Sequence, residues 1–134
     1  MKYLLDTDTC IFHLKGRFNI QQKCNAVGRK NIFISEITVA ELKFGVVNSS
    51  EGKAKERNRI VTEKFLASFS FVPIIDTLDF YAQEKLRLRK LGTPIQEFDL
   101  LIGCAAVVND YIMVTNNEKH FSRIEGIKIE NWTK

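Results

Sequence analysis

Five short apolar runs, interspersed with longer periodic segments, constrain this chain more than any other feature. The runs are Lys2–Leu5, Asn31–Ser35, Phe71–Ile75, Tyr111–Thr115 and Lys128–Trp132. They are rich in Val, Ile, Phe and Tyr and too short for helices, so they predict buried strands. Segments at Thr38–Val47, Glu51–Ser68, Thr77–Leu91 and Phe98–Asn109 predict helices. Leu78, Ala82 and Leu86 recur at i+4 and predict one buried helical stripe. Asp76 or Thr77 would cap that helix, and Gly92 would end it. Strands alternating with helices predict an α/β fold with a parallel, doubly wound sheet. In such a sheet the strand ends gather at one edge, so residues distant in sequence converge there.

The 134 residues are the size of one domain, residues 1–134, long enough to bury a core without disulfides. With 45% hydrophobic and 27% charged residues the composition is that of a globular protein. Two prolines and seven glycines leave no room for a flexible linker. Cys10, Cys24 and Cys104 form no CxxC pair and are odd in number, which fits packing thiols in a reduced, cytoplasmic protein. The longest apolar run, Leu100 to Val108, is too short to span a bilayer and predicts a core helix, with no membrane association. The first apolar run is broken by Asp6 and Asp8, unlike a signal peptide.

The chemistry is carried by polar groups at predicted strand ends. Asp6 follows Tyr3-Leu4-Leu5, and an acid there is costly unless it is paired, hydrogen-bonded or coordinated to a metal. Glu41 lies just after the second predicted strand, Asp99 opens the most apolar helix, and Asn117 follows Val114-Thr115-Asn116. Three carboxylates in one pocket repel one another, and left alone one would take up a proton. A bound Mg²⁺ or Mn²⁺ resolves that conflict, because hard cations prefer oxygen ligands. Such a site suits hydrolysis of a phosphodiester by a metal-activated water.

Each acid also has a structural reading. Thr38 and Glu41 have the spacing of a capping box. Asp99 would favour the positive end of a helix dipole. Asp6, Asp8 or Thr9 would cap the turn after the first strand. These readings weaken jointly, because every acid abuts a strongly apolar stretch in a compatible order.

At these residues the chain resembles PIN-domain ribonucleases of the VapC toxin family. The matching pieces are Leu4-Leu5-Asp6-Thr7, Ser35 through Leu42 with Gly45, Phe98-Asp99-Leu100-Leu101-Ile102, and Val114-Thr115-Asn116-Asn117 with Phe121. They fall in family order over almost the whole chain. The resemblance implies a three-layer α/β/α sandwich around a mainly parallel sheet. It implies cleavage of RNA with Mg²⁺ or Mn²⁺, leaving 5′-phosphate and 3′-hydroxyl ends. It also implies a homodimer and inhibition by a cognate VapB-type antitoxin laid across a groove formed by Glu51–Ser68 and the preceding helices. The family's acids fall on Asp6, Glu41 and Asp99, which would bind the metal directly or through water. The fourth acidic position falls on Asn117, which adds no charge and weakens a second metal site. Asp8 would compensate, and Thr7 and Thr115 would orient carboxylates. The pattern looks closest to the branch that cuts initiator tRNA in the anticodon loop.

Two other readings compete. Asp6-Thr7-Asp8-Thr9 also resembles the first motif of haloacid-dehalogenase-like phosphatases, with Asp6 as nucleophile. That reading needs a late acidic pair, finds only scattered Glu118, Glu125 and Glu130, and leaves Glu41 and Asp99 unexplained. A PIN-like module that binds RNA or protein without catalysis is supported by Asn117 and opposed by the three retained acids.

The charge balance is 20 basic against 16 acidic residues, a net +4 that permits an anionic partner without requiring one. Lys53–Lys64 reads as a solvated face. The tract Lys85, Arg87, Arg89 and Lys90 is less diluted by acids and would track RNA phosphates toward Asp99. His13 and His120 have no Cys or second His at metal-ligand spacing. Cys104, beside Gly103, reads as a small residue of a tightly packed helix.

Overall fold

The computed structural model describes residues 1–49 and 51–134. The five expected strands are present, four of them trimmed and the third shifted: β1 Tyr3–Leu5, β2 Ile32–Ser35, β3 Ser70–Val72, β4 Ile112–Val114 and β5 Ile129–Glu130. They form one sheet in the order β3-β2-β1-β4-β5, and every pair is parallel. Parallel neighbours need crossover connections, and helices supply them. The helices are α1 Thr7–Leu14, α2 Ile20–Val27, α3 Glu36–Val47, α4 Lys53–Ala67, α5 Leu78–Lys90, α6 Glu97–Val108 and the short α7 Glu118–Phe121.

Alternation along the strands explains the layering. Side chains of successive strand residues point to opposite faces. Leu4 and Met113 therefore join one core with Leu88, Leu100, Ile102 and Cys104 from α5 and α6. Leu5 and Val114 join the other with Cys10, Leu42, Phe65 and Trp132. Covering both faces gives the α/β/α sandwich. No helix among the described residues is long and apolar enough to cross a membrane.

Several expectations are corrected. The sequence between Asp6 and Asn31 folds as α1 and α2, which were not expected, although Ile20, Cys24 and Val27 mark one side of α2. The third strand starts at Ser70 and stops at Val72, because Pro73 has no N–H to donate to the ladder. Ile75 lies in a 3₁₀ turn and is exposed. The stripe Leu78, Ala82 and Leu86 faces solvent rather than the core. The side of α5 that is buried carries Glu84 and Leu88, with Phe80 and Tyr81 half-buried. A charged residue holds the buried side here, so counting apolar residues selected the wrong face. Thr77 stands at the start of α5 without a side-chain cap bond, whereas Gly92 ends the helix as expected. Gly92 has φ +73°; its N–H reaches Arg89 O at 3.1 Å and Thr93 N–H reaches Leu88 O at 3.0 Å.

Helix α6 is the pillar of one core, with Leu100, Ile102, Gly103, Cys104, Ala105 and Ala106 buried. Gly103 lets the segment after β4 approach closely. A Cβ there would collide with Ile124 and stand 3.1 Å from Phe121. Gly103→Val is expected to cost about 1–3 kcal/mol by overpacking, read as a lower urea midpoint. An unchanged midpoint would show that α7 is not held by this contact.

Candidate active site

Because the strands are parallel, the carboxyl ends of β1, β2 and β4 lie along one edge. The strand order also reverses there, since β1 is flanked by β2 on one side and β4 on the other. Such a switch point opens a crevice. Asp6, Thr7, Asp8, Glu41, Asp99 and Asn117 line one cleft of about 650 Å³ at this position, with Phe44 and Phe98 among the other lining residues.

Asp6 serves two purposes, so its structural and functional readings are not exclusive. Its N–H continues the ladder to Val114 O at 3.0 Å, and its Oδ1 accepts the Thr9 N–H at 2.8 Å, capping α1. The residue is only 4% exposed. Burial pushes its carboxyl up to about 6, against the opposing hydrogen bonds of Thr115 and Thr9, with the charge of Asp8 adding to the rise.

Glu41 does not close a capping box with Thr38. Helix α3 starts a turn earlier, at Glu36, with Ser35 Oγ accepting the Ile37 N–H at 3.1 Å. Thr38 is therefore inside the helix, and Glu41 is turned into the cleft. Thr7 Oγ1 donates to Glu41 Oε1 at 2.6 Å and lies 3.0 Å from Thr38 Oγ1. Burial raises the Glu41 carboxyl, the Thr7 bond opposes this, and Asp99 and Asp8 raise it further. Thr7→Val is expected to lower activity roughly tenfold by releasing Glu41, with little loss of stability. Initial rates beside a thermal melt check this; an unchanged rate would remove Thr7 from the site.

Asp99 is the third residue of α6, whose first turn is capped by Gln96 Oε1 accepting the Asp99 N–H at 3.1 Å. Its carboxyl is raised by burial and by Asp8, and lowered by His120, whose Nε2 lies 3.4 Å from Asp99 Oδ2. Asn117 is exposed and starts α7; its N–H donates to Thr115 Oγ1 at 2.9 Å. Asp8 is exposed in the first turn of α1 and raises all three carboxyls, of buried Asp6 and half-buried Glu41 and Asp99. It thus brings to the cleft a fourth negative charge, the one Asn117 lacks.

The donor set suits a hard divalent cation: every acid of the cleft is an oxygen donor, and their charges disfavour one another's ionisation. Among the described residues, however, no three Asp, Glu, His or Cys side chains converge closely enough to hold an ion by themselves. Water would have to complete the shell of any ion held here, as it does around magnesium.

The PIN domain family matches residues 3–127 of this sequence. The chain belongs to the PIN-domain family. Within it the relatives are VapC proteins. The tRNA(fMet)-specific endonuclease VapC of Salmonella typhimurium is 34% identical over 140 residues, covering 98% of each chain. Ribonuclease VapC2 of Rickettsia felis is 34% identical over 137 residues, covering 100% of each. The fold overlays the DNA-bound VapBC structure from Salmonella typhimurium with a TM-score of 0.90, at 34% identity and 98% coverage of both chains. A PIN fold and Asp6 shared with Glu41 and Asp99 in one cleft leave the phosphatase reading without support.

The basic tract divides. Lys85 Nζ binds Glu97 at 3.0 Å, and Arg87 pairs with Glu84 at 2.7 Å. Those two side chains are engaged in the fold, against the expectation that the whole tract tracks phosphates. Arg89 and Lys90 are exposed, with no ion-pair partner among the described residues. Sequence reasoning passed over His120 in this PIN-domain site. Spacing to Cys or His could not reveal it, because its neighbour is Asp99 on another helix.

Proposed function

We propose that this chain is a divalent-metal-dependent endoribonuclease and the toxin of a VapBC-type pair. The observation that carries the reading is the gathering of Asp6, Glu41 and Asp99 on one cleft at the switch point of the sheet. When bound, Mg²⁺ or Mn²⁺ would lower the pKa of a water and offset charge on the phosphodiester. The chain's own residues do the rest. Asp6, Glu41 and Asp99 would hold the ion directly or through water, Asp8 adds charge to the same set, and Asn117 would position water or the scissile phosphate through its amide. Thr7 and Thr115 fix the carboxylates that they touch. Phe44 and Phe98, 66% and 42% exposed in the cleft lining, offer faces on which unpaired bases stack. A single-stranded loop is the RNA form that such a cleft accepts, and similarity to the tRNA(fMet)-specific endonuclease of Salmonella typhimurium supports a tRNA substrate. Arg89 and Lys90 are the phosphate contacts retained from the basic tract.

An antitoxin segment has a groove to occupy. Ile11, Leu14, Leu42, Val46 and Val61 line a second depression of about 560 Å³ between α1, α3 and α4. Ile11 and Glu41 belong to both hollows, so a peptide seated there reaches the catalytic cleft. This agrees with the groove expected from Glu51–Ser68, and with the VapBC composition of the solved relatives. The exposed side of α5, with Leu78 and Leu86, is the surface we assign to a second copy. Leu86→Glu should shift the chain toward monomer in light scattering; an unchanged mass would exclude that face.

The test is expression without antitoxin of the wild type and of Asp6→Asn, Glu41→Gln and Asp99→Asn, followed by sequencing of RNA ends. New 5′-phosphate ends appear only with the wild type, and a chelator removes them in vitro. Equal toxicity of all four proteins, or no new ends with the wild type, would favour a non-catalytic binding module.

A further inference from the structure

His120 has no place in the set of acids, yet it stands against it. It lies in the last turn of α7, three residues after Asn117, and its N–H bonds to Asn117 O at 3.2 Å. Its Nε2 is buried and, among the described residues, finds no partner at good hydrogen-bond geometry. Buried polar atoms are nearly always satisfied, so an orphan beside a cluster of acids points to water or an ion as its partner. The nearest oxygen is Asp99 Oδ2 at 3.4 Å. That is too long for a charge-assisted hydrogen bond, which runs about 2.7–2.9 Å. It is, however, the separation of two donors on adjacent positions of one cation: with ligand bonds of about 2.1 Å, such donors lie roughly 3.0–3.4 Å apart. Neutral imidazole presents a lone pair for that purpose.

We propose that His120 Nε2 is a nitrogen ligand paired with Asp99 Oδ2, making the site a mixed nitrogen–oxygen centre that selects Mn²⁺ over Mg²⁺. The inference rests on the metal-dependent reading above and adds to it a ligand and a selectivity. Two adjacent protein donors with water filling the remaining positions agree with the absence of a ready three-residue cluster among the described residues. Imidazole suits transition metals, whereas magnesium takes oxygen almost alone. Losing His120 should therefore weaken Mn²⁺ binding much more than Mg²⁺ binding.

The experiment is pulsed electron paramagnetic resonance on the full-length protein loaded with Mn²⁺, with natural and ¹⁵N-histidine labelling. The chain has two histidines, so assignment needs one variant of each. A nitrogen coupling that changes with the label, persists in His13→Gln and disappears in His120→Gln is the expected result. Titration calorimetry should show Mn²⁺ affinity falling on the order of tenfold or more in His120→Gln, with Mg²⁺ affinity changed far less. Mn²⁺ that binds the wild type with no nitrogen coupling overturns this inference and leaves the nuclease reading intact. No Mn²⁺ binding by the wild type, together with no metal-dependent cleavage, overturns both. If His120→Gln fails to fold, a nitrogen coupling that persists in His13→Gln still assigns the ligand to His120, the chain's other histidine, and its loss there overturns the inference.

Discussion

Asp6→Asn is expected to abolish RNA cleavage and at the same time to make the protein more stable at neutral pH. The activity loss should be at least about a hundredfold, because a central oxygen donor of the cleft loses its charge. The gain in stability follows from burial. The Asp6 carboxyl ordinarily titrates near 3.8 and is pushed up to about 6 in the fold. Between those values the folded protein holds a proton that the unfolded chain has released. Stability therefore falls as pH rises through that window, by up to about 3 kcal/mol at neutral pH. Asparagine removes the charge but keeps the cap, because its side-chain oxygen can still accept the Thr9 N–H. Melts in chelator should place the variant above the wild type at pH 7 and near it at pH 4. Added Mg²⁺ should then raise the wild type more than the variant, since a ligand that binds only the folded state stabilises it. A variant less stable at pH 7 would show that Asp6 is a structural cap without a charge to neutralise.

Arg87→Met is expected to cost about 2–3 kcal/mol. Glu84 is buried on the inner side of α5, 3% exposed, and its carboxylate accepts two hydrogen bonds from Arg87, at 2.7 and 2.8 Å, and the Glu125 N–H at 3.1 Å. Arg87 also donates to Arg123 O at 2.8 Å, so the pair ties α5 to the segment after α7. Removing one partner of a buried ion pair leaves an uncompensated charge, which costs about 3–5 kcal/mol, and the lower figure reflects an Arg87 side chain still one-third in water. The Arg87 guanidinium holds the Glu84 carboxyl below its usual range, so this contribution is present at neutral pH and is lost as pH falls through the lowered value. A double variant with Glu84→Gln should recover much of the loss. Urea midpoints of the single and double variants check this, and a neutral Arg87→Met would show that the Glu84 pair does not hold α5 in place.

These two residues also mark where local pattern is informative and where it is not. Asp6 was legible because an acid directly after a buried strand is physically costly, whatever surrounds it. Glu84 was not legible: on its own helix it reads as one polar residue among several, and its burial depends on Arg87 and on the Glu125 backbone. The same limit put Leu78, Ala82 and Leu86 on the wrong side of α5. Helix α1 escaped because its first turn is polar and is started by the Asp6 cap rather than by an apolar period, whereas α2 carries a short stripe of Ile20, Cys24 and Val27 that was passed over. The capping box at Thr38 and Glu41 failed because Ser35 had already capped the helix one turn earlier.

The alternation of short apolar runs with longer segments sufficed to determine a parallel sheet covered on both faces, because strand and helix periods are local properties of the chain. It also determined that Asp6, Glu41, Asp99 and Asn117 gather at one edge, since all carboxyl ends of a parallel sheet point the same way. Tertiary structure alone decided which groups touch. It set Thr7 against Glu41, brought Asp8 within reach of three carboxyls, and aimed His120 at Asp99 from another helix. Those contacts join residues brought together by packing across the sheet edge, where distances depend on side-chain volume and helix placement that no spacing along the chain encodes.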